Sequence, residues 1–108
     1  MATAPKSEIL NMAELVEYND GAVVSRQITK ADGGNVTLFA FDREQELSEH
    51  TASFDALVHV LEGETEINIS GKQFHLRTGN AIIMPAYEPH AVKALTRFKM
   101  LLTMIKAK

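Results

Sequence analysis

The sequence contains no cysteine, and this absence excludes several kinds of chemistry. A thiol nucleophile, a disulfide framework and a cysteine-ligated zinc site all need that residue. The chain also lacks any run of about 18 apolar residues, the length of a membrane-spanning helix, so we expect no membrane contact. The opening stretch MATAPKSEIL shows no basic region followed by an apolar one. We therefore predict no signal peptide and a cytoplasmic location.

Positive charge is also scarce, since 11 lysine and arginine residues face 14 aspartate and glutamate residues, for a net charge of −3. Binding to phosphate backbones needs a basic surface, so nucleic acid is not expected as the main partner. What the chain does contain is apolar: 45% of its 108 residues are hydrophobic. That length and composition suffice for one domain with a core of its own.

The apolar residues lie in short alternating segments separated by turns, and three of the turn glycines follow one another at a spacing of eight, at Gly63, Gly71 and Gly79. This rhythm is typical of a sandwich or barrel of short strands. No long helical segment separates the strands, which favours an all-β, antiparallel, closed architecture over a parallel sheet. The predicted strands are Ala22–Thr29, Val36–Phe41, Leu57–Leu61, Thr65–Ile69, Gln73–Leu76, Ala81–Met84, His90–Leu95 and Arg97–Ile105.

Two segments fall outside this pattern. Residues 1–20 are predicted as an arm or strand, exchanged with a second subunit, ahead of a barrel over residues 21–108. Within the arm, residues 8–18 fit either a short amphipathic helix or an edge strand. Residues 42–49 are highly charged and are predicted as a connection.

The last predicted strand places Phe98, Met100, Leu102 and Met104 on one face, because side chains alternate along a strand. Met84, Met100 and Met104, with Phe98, either fill the core or line an apolar cavity, since a small barrel can hold one small ligand.

The residues around His90 resemble the second motif of a small single-domain cupin. That motif reads Gly, five residues, Pro-x-Gly, two residues, a metal-ligating His, three residues and Asn. Here Gly79 is followed by five residues and Pro85, and His90 stands at the histidine position. The departures are Tyr87 at the second glycine of the motif and Ala94 at its final asparagine.

The first cupin motif reads Gly, five residues, His-x-His, three or four residues, Glu, six residues, Gly. Counting back from Gly63, its first histidine falls on His50, while alanines stand at the second histidine (Ala52) and at the glutamate (Ala56). The leading glycine falls on Glu44. The resemblance spans roughly residues 36–102 and implies a double-stranded β-helix, or jelly-roll barrel, with a degenerate metal site at its mouth.

The resemblance also implies a cofactor. A site built from nitrogen and oxygen ligands suits Fe, Mn, Ni, Cu or Zn, and His50 and His90 would hold that metal, with Asp55 as a substitute carboxylate. The alternative is that no metal binds and that both histidines are neutral and hydrogen-bonded. In either case we predict a pocket for a small organic molecule, formed by His50, His90, Phe54, Tyr87, Met84 and Met100.

Three functions follow as hypotheses. The first is a small-molecule-binding cupin, with or without a metal. The second is a metal-dependent enzyme of the dioxygenase, isomerase or lyase type, which needs a bound metal. The third is a non-catalytic dimeric scaffold, in which the barrel buries a sheet face against a second copy and outward-facing Leu57, Leu61 and Leu101 form the interface.

Independently of these hypotheses we expect a homodimer, because sheet edges must be covered or paired.

Overall fold

The computed structural model describes residues 3–107, and nearly all of its regular structure is β. One turn of 3-10 helix, η1, covers Met12–Glu14. The nine strands are β1 (Val23–Ala31), β2 (Gly34–Phe41), β3 (Glu46–His50), β4 (Phe54–Glu62), β5 (Glu64–Ile69), β6 (Lys72–Arg77), β7 (Ala81–Met84), β8 (His90–Ala94) and β9 (Phe98–Lys106). The part of the chain that the structure describes has no helix long and apolar enough to cross a membrane.

The strands form two sheets in which every pairing is antiparallel. The larger sheet has the order β1-β2-β9-β4-β7, and the smaller one has the order β3-β8-β5-β6. Several neighbours within a sheet are distant in the chain, because the chain crosses between the sheets as it proceeds. The expected all-β, antiparallel jelly-roll is thus confirmed.

The core lies between the two sheets. The inward face of β9 contributes Phe98, Met100, Leu102 and Met104, as the alternation in the sequence predicts. Phe41 of β2 and Phe98 are fully buried, and their rings stack with 4.6 Å between centroids. Ile67 and Val92, from the smaller sheet, belong to the same cluster. One contiguous core therefore holds both sheets together.

The segment over residues 42–49 differs from the prediction. It is not only a connection, because β3 begins at Glu46 and pairs with β8. Leu47 is the one apolar side chain between Asp42 and Glu49, and it packs against the core. A strand with a single inward-facing apolar residue has too little periodicity to be recognised from sequence.

The N-terminal segment forms neither the amphipathic helix nor the edge strand that its pattern allows. Apart from η1, residues 3–22 have no regular structure, and they cover the outer face of the larger sheet. Ala4 and Val16 are buried there in a second cluster. Leu61 and Leu101, which we expect at a dimer interface, pack against this cluster of the same chain. Leu57 stays partly exposed beside Ile83, and the homodimer remains a prediction.

Polar contacts anchor this segment to the barrel. Tyr18 donates a hydrogen bond to Glu62, and Lys99 donates one to the carbonyl oxygen of Ala13. Arg97 forms ion pairs with both Asp20 and Asp42 and lies over the Tyr18 ring. Burial and the Glu62 carboxylate raise the pKa of Tyr18 well above its ordinary range, so its hydroxyl stays a donor.

Candidate functional site

His50 and His90 lie side by side, although 40 positions separate them in the sequence. His50 is the last residue of β3 and His90 is the first residue of β8, and the two are partners in the pairing of these strands. Their rings meet edge to face with 4.4 Å between centroids. Only 4% of His90 is exposed, whereas His50 is largely open to solvent. The fold therefore places one buried imidazole beside one exposed imidazole.

A bulge in β3 turns His50 toward the interior. Leu47 pairs with Val92 and His50 pairs with His90, so three steps along β3 match two steps along β8. Regular alternation would place residues 47 and 49 on the same face. The extra residue shifts that alternation, and His50 faces inward together with Leu47.

The two histidines close one side of an apolar cavity of about 230 Å³ between the sheets. Among the described residues 3–107, no lysine, arginine, aspartate or glutamate lines this cavity. The other lining residues are all apolar: Phe39, Leu47, Ala52, Ala56, Met84, Val92, Met100, Leu102 and Met104. Such a cavity can hold an apolar ligand but offers few polar groups to orient it.

Both imidazoles are held by backbone carbonyl groups at the same ring nitrogen. Nδ1 of His50 lies 2.7 Å from the carbonyl oxygen of Ser48, and Nδ1 of His90 lies 3.1 Å from that of Glu88. A carbonyl oxygen only accepts hydrogen bonds, so each Nδ1 carries the proton and donates it. In the neutral ring, Nε2 is then a bare acceptor.

Burial, followed by the nearby His50, lowers the pKa of His90 below its ordinary value of 6.5. In the unfolded chain the same ring titrates near its ordinary value. Above that value both states are neutral, and His90 adds no pH dependence. Below it the unfolded state takes up a proton that the folded state does not, so stability is lost as the pH falls.

We therefore predict that replacing His90 weakens this acid sensitivity. Between about pH 7 and pH 5, the free energy of unfolding should fall less steeply in His90→Asn than in the unmodified protein. Urea unfolding at several pH values measures the difference. The exposed His75, which lies beside Glu64, provides the control His75→Asn. Equal slopes in the unmodified protein and in His90→Asn would show that His90 does not cause the effect.

The predicted pocket residues do not all reach this cavity. His50, His90, Met84 and Met100 line it, whereas Phe54 and Tyr87 are not among its lining residues. Tyr87 is 64% exposed. Its backbone N–H donates to the carbonyl oxygen of Ala52, which connects the loop before His90 to the loop before β4.

Asp55 does not join the two histidines. Because β4 already begins at Phe54, alternation turns Asp55 away from the inward face that Val58 occupies. Its Oδ1 accepts a hydrogen bond of 2.9 Å from the backbone N–H of Ala86. Asp55 therefore stabilises the loop that leads to His90.

The residues present do not fit the metal site that the cupin resemblance implies. All four ligand positions meet at the cavity, but Ala52 and Ala56 contribute methyl groups there instead of an imidazole and a carboxylate. Among residues 3–107 no three histidine, aspartate or glutamate side chains are grouped so that they could hold a metal ion. The remaining donor set is two imidazoles.

Several lining residues were not among the predicted pocket residues. Met104 lines the cavity, as one of the two alternatives for the methionines predicts, and Leu102 shares its face, so the period-two pattern of the last strand was the signal for Leu102. Phe39 and Val92 have no such signal, because an inward residue of any strand looks the same in sequence whether it lines a cavity or fills the core. Leu47 was missed along with its strand.

The chain is similar to a known protein family and to several solved structures. The profile of the family described as Cupin domain matches residues 38–106. A protein of unknown function from Streptococcus pyogenes is 30% identical, with a TM-score of 0.91, over 100% of this chain and 97% of that one. A cupin superfamily protein from Desulfitobacterium hafniense is 27% identical, with a TM-score of 0.90, over 98% of this chain and 97% of that one.

A third structure, a cupin 2 conserved barrel domain protein from Leptotrichia buccalis, is 39% identical with a TM-score of 0.87. The match covers 90% of this chain but 47% of that protein. No curated protein matches the chain.

Proposed function

The chain belongs to the cupin family, and from this premise we propose that it binds a small organic molecule in the cavity beside His50 and His90. The observation that carries the proposal is the cavity itself, whose wall has nine apolar residues and two imidazoles. Ligand sites are typically apolar concavities with a few polar groups that orient the ligand.

The cavity volume sets the size of the molecule. An apolar cavity of roughly 150 Å³ holds benzene in another protein, and this one measures about 230 Å³. A six-membered ring with one or two small substituents therefore fits, while a nucleotide or a disaccharide does not.

The alternative of a metal-dependent enzyme has less support. It needs a metal that acts as a Lewis acid or redox centre, and the cavity offers two imidazoles where the cupin pattern has four ligands. The metal-free binding function uses the residues that are present. We therefore favour it over dioxygenase, isomerase or lyase chemistry.

Methionine side chains provide a direct test, because three of them line the cavity. The methionine methyl groups of the full chain are labelled with 13C and observed by NMR. Four compounds are titrated in separate experiments: toluene, anisole, phenol and benzoate. We expect saturable shifts at Met84, Met100 and Met104. Met12, in the cluster under the N-terminal segment, should not move.

A cavity-filling variant makes the test specific. Ala56 is 3% exposed and lines the cavity, so Ala56→Leu should occupy the space and abolish the shifts. Ala81→Leu, at an exposed position of β7, is the matched control and should keep them. The proposal fails if none of the four compounds moves the three cavity methionines, or if binding persists unchanged in Ala56→Leu.

A further inference from the structure

The polar groups of the cavity point to a particular class of ligand. We infer that the cavity selects uncharged ring compounds that carry a hydroxyl group, of the phenol type, and that Nε2 of His90 accepts the hydrogen bond from that hydroxyl. This inference rests on the proposed function, namely that a small organic molecule occupies the cavity.

The first step concerns hydrogen bonding. Because Nδ1 of each ring donates to a backbone carbonyl oxygen, each neutral ring presents only an acceptor at Nε2. The other lining side chains, in the part of the chain that the structure describes, carry no N–H or O–H group. The wall therefore offers side-chain acceptors but no side-chain donor. A ligand that fits must bring its own donor, which a hydroxyl group does and an ether or a ketone does not.

The second step concerns charge. A carboxylate or phosphate in this cavity would lose its hydration, and the lining contains no lysine or arginine to compensate. Only protonation of a histidine could balance the charge, and burial disfavours the charged form of His90. The cavity therefore disfavours permanent anions. A neutral hydroxyl can donate a hydrogen bond without placing a net charge in the wall.

The third step distinguishes the two histidines. His90 is 4% exposed, whereas His50 is exposed to solvent, so a ligand in the cavity competes with less water at His90 than at His50. A buried acceptor that loses its partner pays the full desolvation cost, and an exposed one does not. The preference for a donor should therefore depend mainly on His90 and only weakly on His50.

The test compares phenol with anisole, which keeps the ring and the oxygen but replaces O–H with O–CH₃. Dissociation constants come from the shifts of Met84, Met100 and Met104 in the full chain. We expect phenol to bind about 10-fold more tightly than anisole, the size of one hydrogen bond to a buried group, and benzoate to bind more weakly than phenol. In His90→Asn, which keeps a donor near Glu88 but removes Nε2, the preference should fall to about 3-fold or less.

Two further measurements exclude a merely structural effect. His75→Asn, at an exposed site, should leave the preference unchanged. In the unmodified protein labelled with 15N-histidine, phenol should shift the Nε2 resonance of His90, and anisole should not. That readout does not depend on any variant folding correctly.

The outcomes separate the two proposals. If phenol and anisole bind equally well, or if benzoate binds more tightly than both, the ligand class is wrong and the binding function stands. If phenol is preferred but His90→Asn keeps the preference and the Nε2 resonance of His90 does not move, the assigned acceptor is wrong. If none of the compounds moves the cavity methionines, the binding function fails as well.

Discussion

Ala52→His combined with Ala56→Glu is expected to turn the cavity into a metal site. The two alanines line the same cavity as His50 and His90 and occupy the positions where the cupin motif has its second histidine and its glutamate. The double variant would therefore present three imidazoles and one carboxylate. Nδ1 of both native histidines already donates to a carbonyl oxygen, which is the arrangement that orients histidine for ligation through Nε2.

We expect affinity for Ni²⁺ or Zn²⁺ to rise by at least about 100-fold, because even the outer partners of metal ligands change affinity by about 10- to 100-fold. Isothermal titration calorimetry with protein lacking a histidine tag measures the change. His90→Asn in the double-variant background is the control and should return the affinity to a low value. Two results would contradict the degenerate-site interpretation: tight binding by the unmodified protein, or no gain in a folded double variant.

Gly63→Ala is expected to cause a large loss of stability. Gly63 lies between β4 and β5 with φ of +84°, a region that residues with a Cβ adopt at a cost of about 1–2 kcal/mol. A Cβ there would also lie 2.2 Å from the carbonyl oxygen of Arg97 and 2.7 Å from Cβ of Phe98. Phe98 is fully buried and stacked on Phe41, so it cannot easily move aside. We expect a total loss of about 4 kcal/mol.

Gly71 provides a matched control for this substitution. Its φ of +86° is nearly the same, but a Cβ at Gly71 would meet no atom within 4 Å. Gly71→Ala should therefore cost only the backbone strain, about 1–2 kcal/mol. Urea unfolding of both variants gives the two free energies. Equal losses would mean that the close approach to Arg97 and Phe98 contributes nothing and that backbone conformation alone requires glycine.

Much of the fold could be predicted because its strands are regular. Ala81–Met84 is a compact apolar run stopped by Pro85, and its predicted bounds match β7. Gly63, Gly71 and Gly79 all adopt positive φ at turns, which is why their spacing indicates short strands. In contrast, β3 carries one inward apolar residue and was predicted as a connection.

The N-terminal segment was ambiguous for a different reason. Its apolar residues contact the outer face of the larger sheet as irregular chain, so they follow the shape of that surface and not a helical or strand period. Leu61 and Leu101 have the outward parity that suggests an interface with another molecule. Within this chain they contact the covering segment. The alternation of residues along a strand shows which face of the sheet a side chain lies on, but it does not show what covers that face.

The sequence by itself determined the family, the antiparallel barrel and the identity of the two histidines, because these depend on local spacing and alternation along the chain. Only the tertiary structure decided how the two histidine rings are placed and oriented. One extra residue in β3 turns His50 inward, and carbonyl groups of Ser48 and Glu88 set which nitrogen of each ring stays free. It also decided that Asp55 accepts a hydrogen bond from the loop before His90 and is not grouped with the two histidines. The bulge in β3, the wall of the cavity and the protonated nitrogen of each ring all depend on contacts between segments that are distant in the chain. Local periodicity does not encode such contacts.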